Sequence, residues 1–376
     1  MICINSHQFA KTHVLMSIAV LGLVVSTAIP ALAGSFSNTG SMNAARLYHT
    51  ATLLANGEVL VAGGENYTDG YLDSAELYSP VTGKWTLTGT MTTKRWGPQA
   101  VLLQNGQVLV AGGGNDNTCC GNPYLASAEL YNPSTGRWTA TGSMTTGRIG
   151  FIMILLPNGQ VLAAGGNAGN QNLSSAELYN PATGTWTVTG SLTFAFQPSA
   201  AVLLPNGQVF VPAIANLYNP PTGTWTAKAQ DPVGANAQVA LLPNGDVFAV
   251  GGIQGDSIYH PSSDQWTTFA PPPCTISNKQ SCQGGVALLS TGQVLVAGGI
   301  TEVSGSPYPK AETNGLAFLL DPSTLTWTST ASMKESRVGE TVTVLLNGQV
   351  LFAGGQTFDK GRGALTPIAG AELYKP

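Results

Sequence analysis

Charge is scarce in this 376-residue chain: Asp, Glu, Lys and Arg make up only 9% of it, and the formal net charge is −4. No basic run occurs anywhere. Nucleic-acid binding needs many phosphate-neutralising cations on one face, so that class is excluded. Histidine is rarer still, with four in the whole sequence. No Gly-x-Ser-x-Gly elbow, phosphate loop or His-Glu-x-x-His motif is present, which removes the usual signatures of serine hydrolysis, nucleotide binding and zinc proteolysis. Beyond residue 33 no apolar run is long enough to span a membrane as a helix.

The first 33 residues read as an export signal. Lys11 and His13 precede an apolar stretch from Val14 to Ala33, and Ala31-Leu32-Ala33 forms a small-x-small cleavage site before Gly34. We therefore expect a cleaved secretory signal over 1–33, a secreted or periplasmic chain with no membrane span, and one domain over 34–376. An uncleaved membrane anchor is the alternative for the same stretch. Cysteine use agrees with export: Cys3 leaves with the signal, and Cys119, Cys120, Cys274 and Cys282 form an even set. Cys274 and Cys282 close a short loop rich in Pro, Ser and Asn and are the favoured disulfide. Cys119-Cys120 is then a vicinal disulfide or two thiols. A zinc site finds no nearby histidine and no finger spacing.

What the chain has in abundance is a repeat. A turn dipeptide recurs at Asn56-Gly57, Asn105-Gly106, Asn158-Gly159, Asn206-Gly207, Asn244-Gly245, Thr291-Gly292 and Asn347-Gly348. Asn-Gly between two apolar runs is a strong hairpin signal, expected here as a tight turn with both central residues at positive φ. The second strand of each hairpin is continuously apolar, as in Val108 to Ala111, so both its faces should be buried. A third strand carries Ala-Glu-Leu-Tyr (Ala75 to Tyr78), and a fourth begins at a tryptophan such as Trp85. Four short antiparallel strands in about 50 residues make one blade of a propeller. A parallel β-helix is the structural alternative, but its repeats are shorter.

The two ends of the repeat region fit together. The last copy stops at Ala371 to Pro376, before any tryptophan, while Gly34 to Met42 matches Gly136 to Met144 with Phe36 at the tryptophan position. Residues 34–42 are thus expected to supply the fourth strand of blade 7 and close the ring, satisfying two otherwise unpaired edges. Here the chain resembles the Kelch-repeat family, whose marks are Gly63-Gly64, Tyr78 and Trp85 in that order and spacing. Six of the seven copies keep the double glycine. The resemblance implies an all-β fold, a seven-bladed Kelch-type β-propeller. It implies no single function, since Kelch propellers host binding modules and enzymes alike.

An arginine lies four residues after a methionine at Met42/Arg46, Met91/Arg95, Met144/Arg148 and Met333/Arg337, in blades 1, 2, 3 and 7. The repeat glutamate occurs in those same blades, as Glu76, Glu129, Glu177 and Glu372. Blades 4, 5 and 6 have Asn216, Ser257 and Phe318 there, and lack the arginine. One reading is an arc of cations holding a carboxylate or sulfate ligand. The favoured reading is a structural Arg–Glu pair within each blade, with the double glycine leaving room for the bridge.

Some Kelch-like propellers are copper radical oxidases, whose site needs two histidines, tyrosines and a cysteine–tyrosine cross-link. His49 and His260 are placed at opposite ends of the ring, so no metal and no cofactor is expected. Glu65, Asn66, Asp69 and Asp73, and likewise Asn115, Asp116 and Asn117, read as polar turns rather than calcium loops. The connections between second and third strands are long and unequal and share one face, where function is usually carried. Tyr67, Tyr71, Trp96, Tyr124, Tyr308 and Phe358 lie in or beside them and form a candidate rim for a ligand. The expectation is a monomeric, non-catalytic binding module that holds a protein or glycan on this face. The alternative is an exported carbohydrate enzyme, since some periplasmic Kelch propellers epimerise sialic acids. That chemistry needs unpaired arginines and an acid/base carboxylate, for which Glu302, Glu312 and Glu340 are the candidates.

Overall fold

A computed structural model describes residues 34–115, 124–169, 171–198, 200–231, 238–252, 255–273, 284–303, 310–359 and 364–376. Each copy of the repeat is one four-stranded antiparallel sheet, and there are seven such sheets. Blade 1 runs Thr50–Leu53, Val59–Ala62, Ala75–Ser79 and Lys84–Leu87, each strand paired to the next. First strands of neighbouring blades touch around the ring, which places them innermost. No helix among the described residues is long and apolar enough to cross a membrane.

The hairpin turns differ from the expected form. Only the glycine takes positive φ (86° at Gly57), and no turn asparagine does. Gly57 N donates to Leu54 O, and Leu54 N donates to Glu58 O. This is a three-residue loop, a type I turn whose glycine forms a bulge, so only one position needs left-handed backbone. Asn56 instead accepts the Glu58 N–H on its own side chain at 3.0 Å, which holds the turn shut.

The core lies between blades rather than within them. Val59, Leu60, Val61 and Ala62 of the second strand are all buried. Val59 and Val61 pack toward blade 7 with Leu351 and Ala353, while Leu60 and Ala62 pack toward blade 2 with Val108 and Val110. Alternate residues of one strand thus fill two different junctions, which explains the unbroken apolar run. Each fully buried Val or Leu contributes about 1.5–3 kcal/mol, so the ring is held at every junction.

The repeat aromatics fasten those junctions. Tyr78 faces Trp85 across the sheet, with ring centroids 5.0 Å apart. The Trp85 indole donates to Gly40 O at 2.7 Å, and Thr39 Oγ1 and Tyr78 OH lie 2.8 Å apart, both contacts reaching the segment that leaves blade 7. Trp138 and Trp186 bond Gly89 O and Gly142 O in the same way. Ser35–Asn38 pairs with Ala371–Lys375, and Phe36 stands opposite Tyr374 at 4.9 Å, in the register that Trp85 has with Tyr78. The N-terminal strand therefore completes the seventh sheet.

Candidate functional site

The four arginines enter first strands at the long-loop end, and each meets the glutamate of its own blade. Arg46 Nη2 donates to Glu76 Oε1 at 2.9 Å; Arg95 meets Glu129 at 3.0 Å, Arg148 meets Glu177 at 2.9 Å and Arg337 meets Glu372 at 2.9 Å. All four guanidinium groups are fully buried. Arg46 Nη1 also donates to the carbonyls of Gly63 and Ser74, and Nη2 to Ser74 Oγ. Ser127 and Ser175 repeat that contact for Arg95 and Arg148. Burial pushes the Arg46, Arg95 and Arg148 guanidinium groups below their ordinary range, and the adjacent glutamate opposes that shift.

Each glutamate has a second task. Its other oxygen accepts the backbone N–H of Asn43, Thr92, Thr145 or Lys334, at 2.7–2.8 Å, and so pins the segment entering the blade. Blade 4 keeps this task without charge: Asn216 Oδ1 accepts Thr193 N at 2.9 Å. Blade 5 inverts it, with Ser257 Oγ donating to Asp231 Oδ2 at 3.1 Å.

Two further titratable groups lie three residues after an arginine. His49 is buried, its Nε2 is 3.1 Å from Thr341 Oγ1, and its Nδ1 has no partner among the described residues. Burial, reinforced by Arg46, pulls its pKa down to about 3, so the ring is neutral. Glu340 accepts Gly285 N at 3.3 Å through Oε1, and its buried Oε2 has no partner there. Burial pushes that carboxyl up. Glu302 and Glu312 lie on a two-stranded ribbon, Ile300–Val303 with Lys310–Thr313.

The aromatic candidates fall into separate groups. Tyr71 and Trp96 stack, with centroids 6.0 Å apart and planes at 26°. Tyr48, absent from the sequence candidates, joins them 5.9 Å from Trp96. Tyr67 is 64% exposed and donates its hydroxyl to Leu365 O at 3.1 Å, across the junction of blades 7 and 1. It borders a hollow of about 470 Å³ lined by Asn43, Asn66, Asp69, Asp359 and Thr366. Asn66 Oδ1 accepts Thr68 N and Asp69 N, the bonding of a polar turn. Phe358 is half-buried on a two-stranded ribbon, Gln356–Asp359 with Ala364–Pro367, and Tyr124 pairs with Gly114 on the side toward blade 3. Tyr308, Cys119, Cys120, Cys274, Cys282, Asp116 and Asn117 lie outside the described residues.

Hollows of about 520 and 580 Å³ lie at the opposite end, between hairpin turns of adjacent blades. They recur with the repeat, as at Asn56 with Asn105 and at Asn244 with Thr291, and are gaps the architecture leaves.

Residues 46–92, 95–145 and 156–193 match the Kelch motif. These are blades 1, 2 and 3; the same strand order continues around the ring, and the aromatic pair recurs in blades 4, 5 and 7, while Leu320 faces Trp327 in blade 6. No curated protein matches the sequence. Among solved structures, the chain is similar to a fungal alcohol oxidase of the AA5 family in complex with copper. That match has a TM-score of 0.68 and 15% identity, over 92% of this chain and 76% of the oxidase. It is also similar to YjhT, with a TM-score of 0.53 and 15% identity, over 89% of this chain and 99% of YjhT. Likeness at these identities is one of fold alone. The described histidines do not fit a shared copper centre: His49 packs at the long-loop end, whereas His260 bonds Asp246 beside a hairpin turn at the other end.

Proposed function

We propose that this seven-bladed β-propeller, with Kelch motifs in three of its blades, works as an exported, non-catalytic binding module whose long-loop face holds a protein or glycan. One observation carries this reading. All four arginines at the mouth are committed to buried glutamates, while aromatic rings and a polar hollow remain accessible above them. Such a surface can hold a partner by stacking and hydrogen bonding, but offers no free cation from this set to polarise a substrate. Passing residues 34–376 over glycan and protein arrays, with sialic-acid mutarotation followed by NMR, tests it. Selective retention without turnover, weakened by substitutions at long-loop aromatics, supports the proposal; rapid mutarotation overturns it.

Glu340 favours a second reading, an exported carbohydrate enzyme such as a sialic acid epimerase or mutarotase. A carboxyl whose proton affinity is raised by burial is suited to the part of a general acid. The same assay decides, because Glu340→Gln abolishes any mutarotation that depends on it.

A further inference from the structure

One residue of the aromatic group is not what the repeat calls for. Two positions after the arginine, blades 2, 3 and 7 have Gly97, Gly150 and Gly339, at φ of 61°, 58° and 70°. Blade 1 has Tyr48 there, at φ 54° and 49% exposed. Left-handed backbone strains a tyrosine and suits a glycine, so the fold alone favours glycine at this place. A strained, exposed aromatic in a slot built for glycine points to a use for the ring itself. Beside it, Trp96 lies against Gly114, where a Cβ would collide with the indole nitrogen. Tyr48, Tyr71 and Trp96 come from three segments, and Gly97 N donates to Tyr48 O at 2.9 Å, joining blade 1 to blade 2.

We propose that Tyr48, Trp96 and Tyr71 form a stacking platform for a neutral hexopyranose unit of a glycan. This deepens the binding reading above and rests on it. A pyranose ring presents a face of C–H groups to an aromatic π-surface and a rim of hydroxyls that need hydrogen-bond partners. Glu65 is the direct cross-strand partner of Tyr71, so its side chain shares that ring's face of the ribbon and can accept a hydroxyl. Burial also holds the Glu65 carboxyl above its ordinary range. Acidic sugars are disfavoured, because Arg46 and Arg95, which lead into this cluster, are engaged by Glu76 and Glu129. A folded protein needs about 800 Å² on its side of a stable interface, far more than three rings, two of them half-buried, can offer.

The test titrates residues 34–376 with methyl glucoside, methyl galactoside and methyl mannoside, follows tryptophan fluorescence, and screens an array of neutral and acidic oligosaccharides. We expect neutral hexose glycans to be retained. Tyr48→Gly should leave the melting temperature unchanged or raised, yet weaken binding at least tenfold, as should Trp96→Ala. Tyr67→Ala, at the other junction of the long-loop face, should weaken it less than Tyr48→Gly does. Retention of acidic sugars alone, capture of peptides but no glycan, or an unaltered affinity in Tyr48→Gly overturns the platform. If Tyr67→Ala abolishes binding and Tyr48→Gly does not, the platform falls and the long-loop reading stands. If all three variants bind as the parent does, both fall.

Discussion

Blades 7, 1, 2 and 3 and blades 4, 5 and 6 build the same sheet around different chemistry at its long-loop end. The first arc buries an arginine and a glutamate in every blade; the second uses Asn216 in blade 4, Ser257 with Asp231 in blade 5 and Phe318 in blade 6. Both arcs form four-stranded blades, so the ion pair is not needed to make one. What blades 4 and 5 keep in common with the charged arc is a polar bond to the segment entering the blade. The glutamate supplies that bond through one oxygen, and the arginine satisfies the other. The arginine has a further cost: the Nε–H groups of Arg46, Arg95 and Arg148 have no partner among the described residues. A buried pair with an unmet donor contributes little net stability over an apolar replacement, although breaking it is severe.

The largest effect is expected where the charged arc meets the chain ends. Deleting residues 34–42 removes the fourth strand of blade 7, with buried Phe36 and Met42 and the Gly40 carbonyl that Trp85 bonds. Two buried apolar side chains and a row of ladder hydrogen bonds amount to on the order of 5 kcal/mol or more. An unchanged melting temperature would sink the closure argument. Next, Arg95→Met strands the buried Glu129 carboxylate and should cost about 3–5 kcal/mol. Pairing it with Glu129→Gln should recover most of that loss in denaturant unfolding, since the amide can still accept the Thr92 N–H. If Arg95→Met leaves stability intact while abolishing binding of an anionic ligand, the arginines belong to a site and not to the scaffold. In the uncharged arc, Asn216→Ala should cost only about 1–2 kcal/mol, because it frees one backbone donor and strands no charge.

Acid should separate the arcs as well. Unfolded, His49 takes up a proton below its ordinary value of 6.5; folded, burial delays this to about 3. Stability is therefore full above pH 6.5 and declines as pH falls toward 3, by about 2 kcal/mol on reaching pH 5. Phe151 holds the equivalent place in blade 3, and its ring edge meets Gly112 as the His49 ring edge meets Gly354. His49→Phe should thus remove this part of the acid sensitivity in melting curves recorded from pH 7 to 5. Glu340 titrates in the opposite sense: burial raises its carboxyl above the ordinary 4.5, so the stability it lends is full below that value and lost as pH rises. It is present in parent and variant alike, so their difference isolates His49.

Much of this is legible in the sequence because it is written several times over. Seven turn dipeptides give the blade count, and Phe36 in the slot of Trp138 gives the closing strand before any contact is known. Joint occurrence of arginine and glutamate in the same four copies ties those residue types together. What escapes is anything carried by a single copy or by a small side chain. Ser74, Ser127 and Ser175 stand just before Ala-Glu in three copies, yet nothing in their spacing says that a hydroxyl meets a guanidinium. Tyr48 breaks an Arg-x-Gly pattern that is plain in blades 2, 3 and 7, but its significance depends on φ, which periodicity does not reveal. The turn type misleads for a related reason, since Asn-Gly serves both a two-residue hairpin and a bulged three-residue one.

Blade 7 shows how a missing piece of the repeat is replaced, and this carries the smallest prediction. It has Gly370 where the other arginine blades have serine, so Arg337 lacks a hydroxyl partner. Glu335 Oε2 takes that place, 3.2 Å from Arg337 Nη2, in the space a side chain at position 370 would occupy. Glu335 also offers its backbone carbonyl to Arg337 Nε at 3.4 Å, so the donor left unmet in blades 1, 2 and 3 is engaged here. Gly370→Ser alone should destabilise by about 1 kcal/mol, through crowding between the new hydroxyl and the Glu335 carboxylate. Combined with Glu335→Ala it should return to within about 0.5 kcal/mol of the parent, a non-additive result that double-mutant analysis of thermal unfolding would detect. Simple additivity of the two changes would mean that the Glu335 carboxylate has no part in the pair, and that blade 7 holds Arg337 by Glu372 and backbone carbonyls.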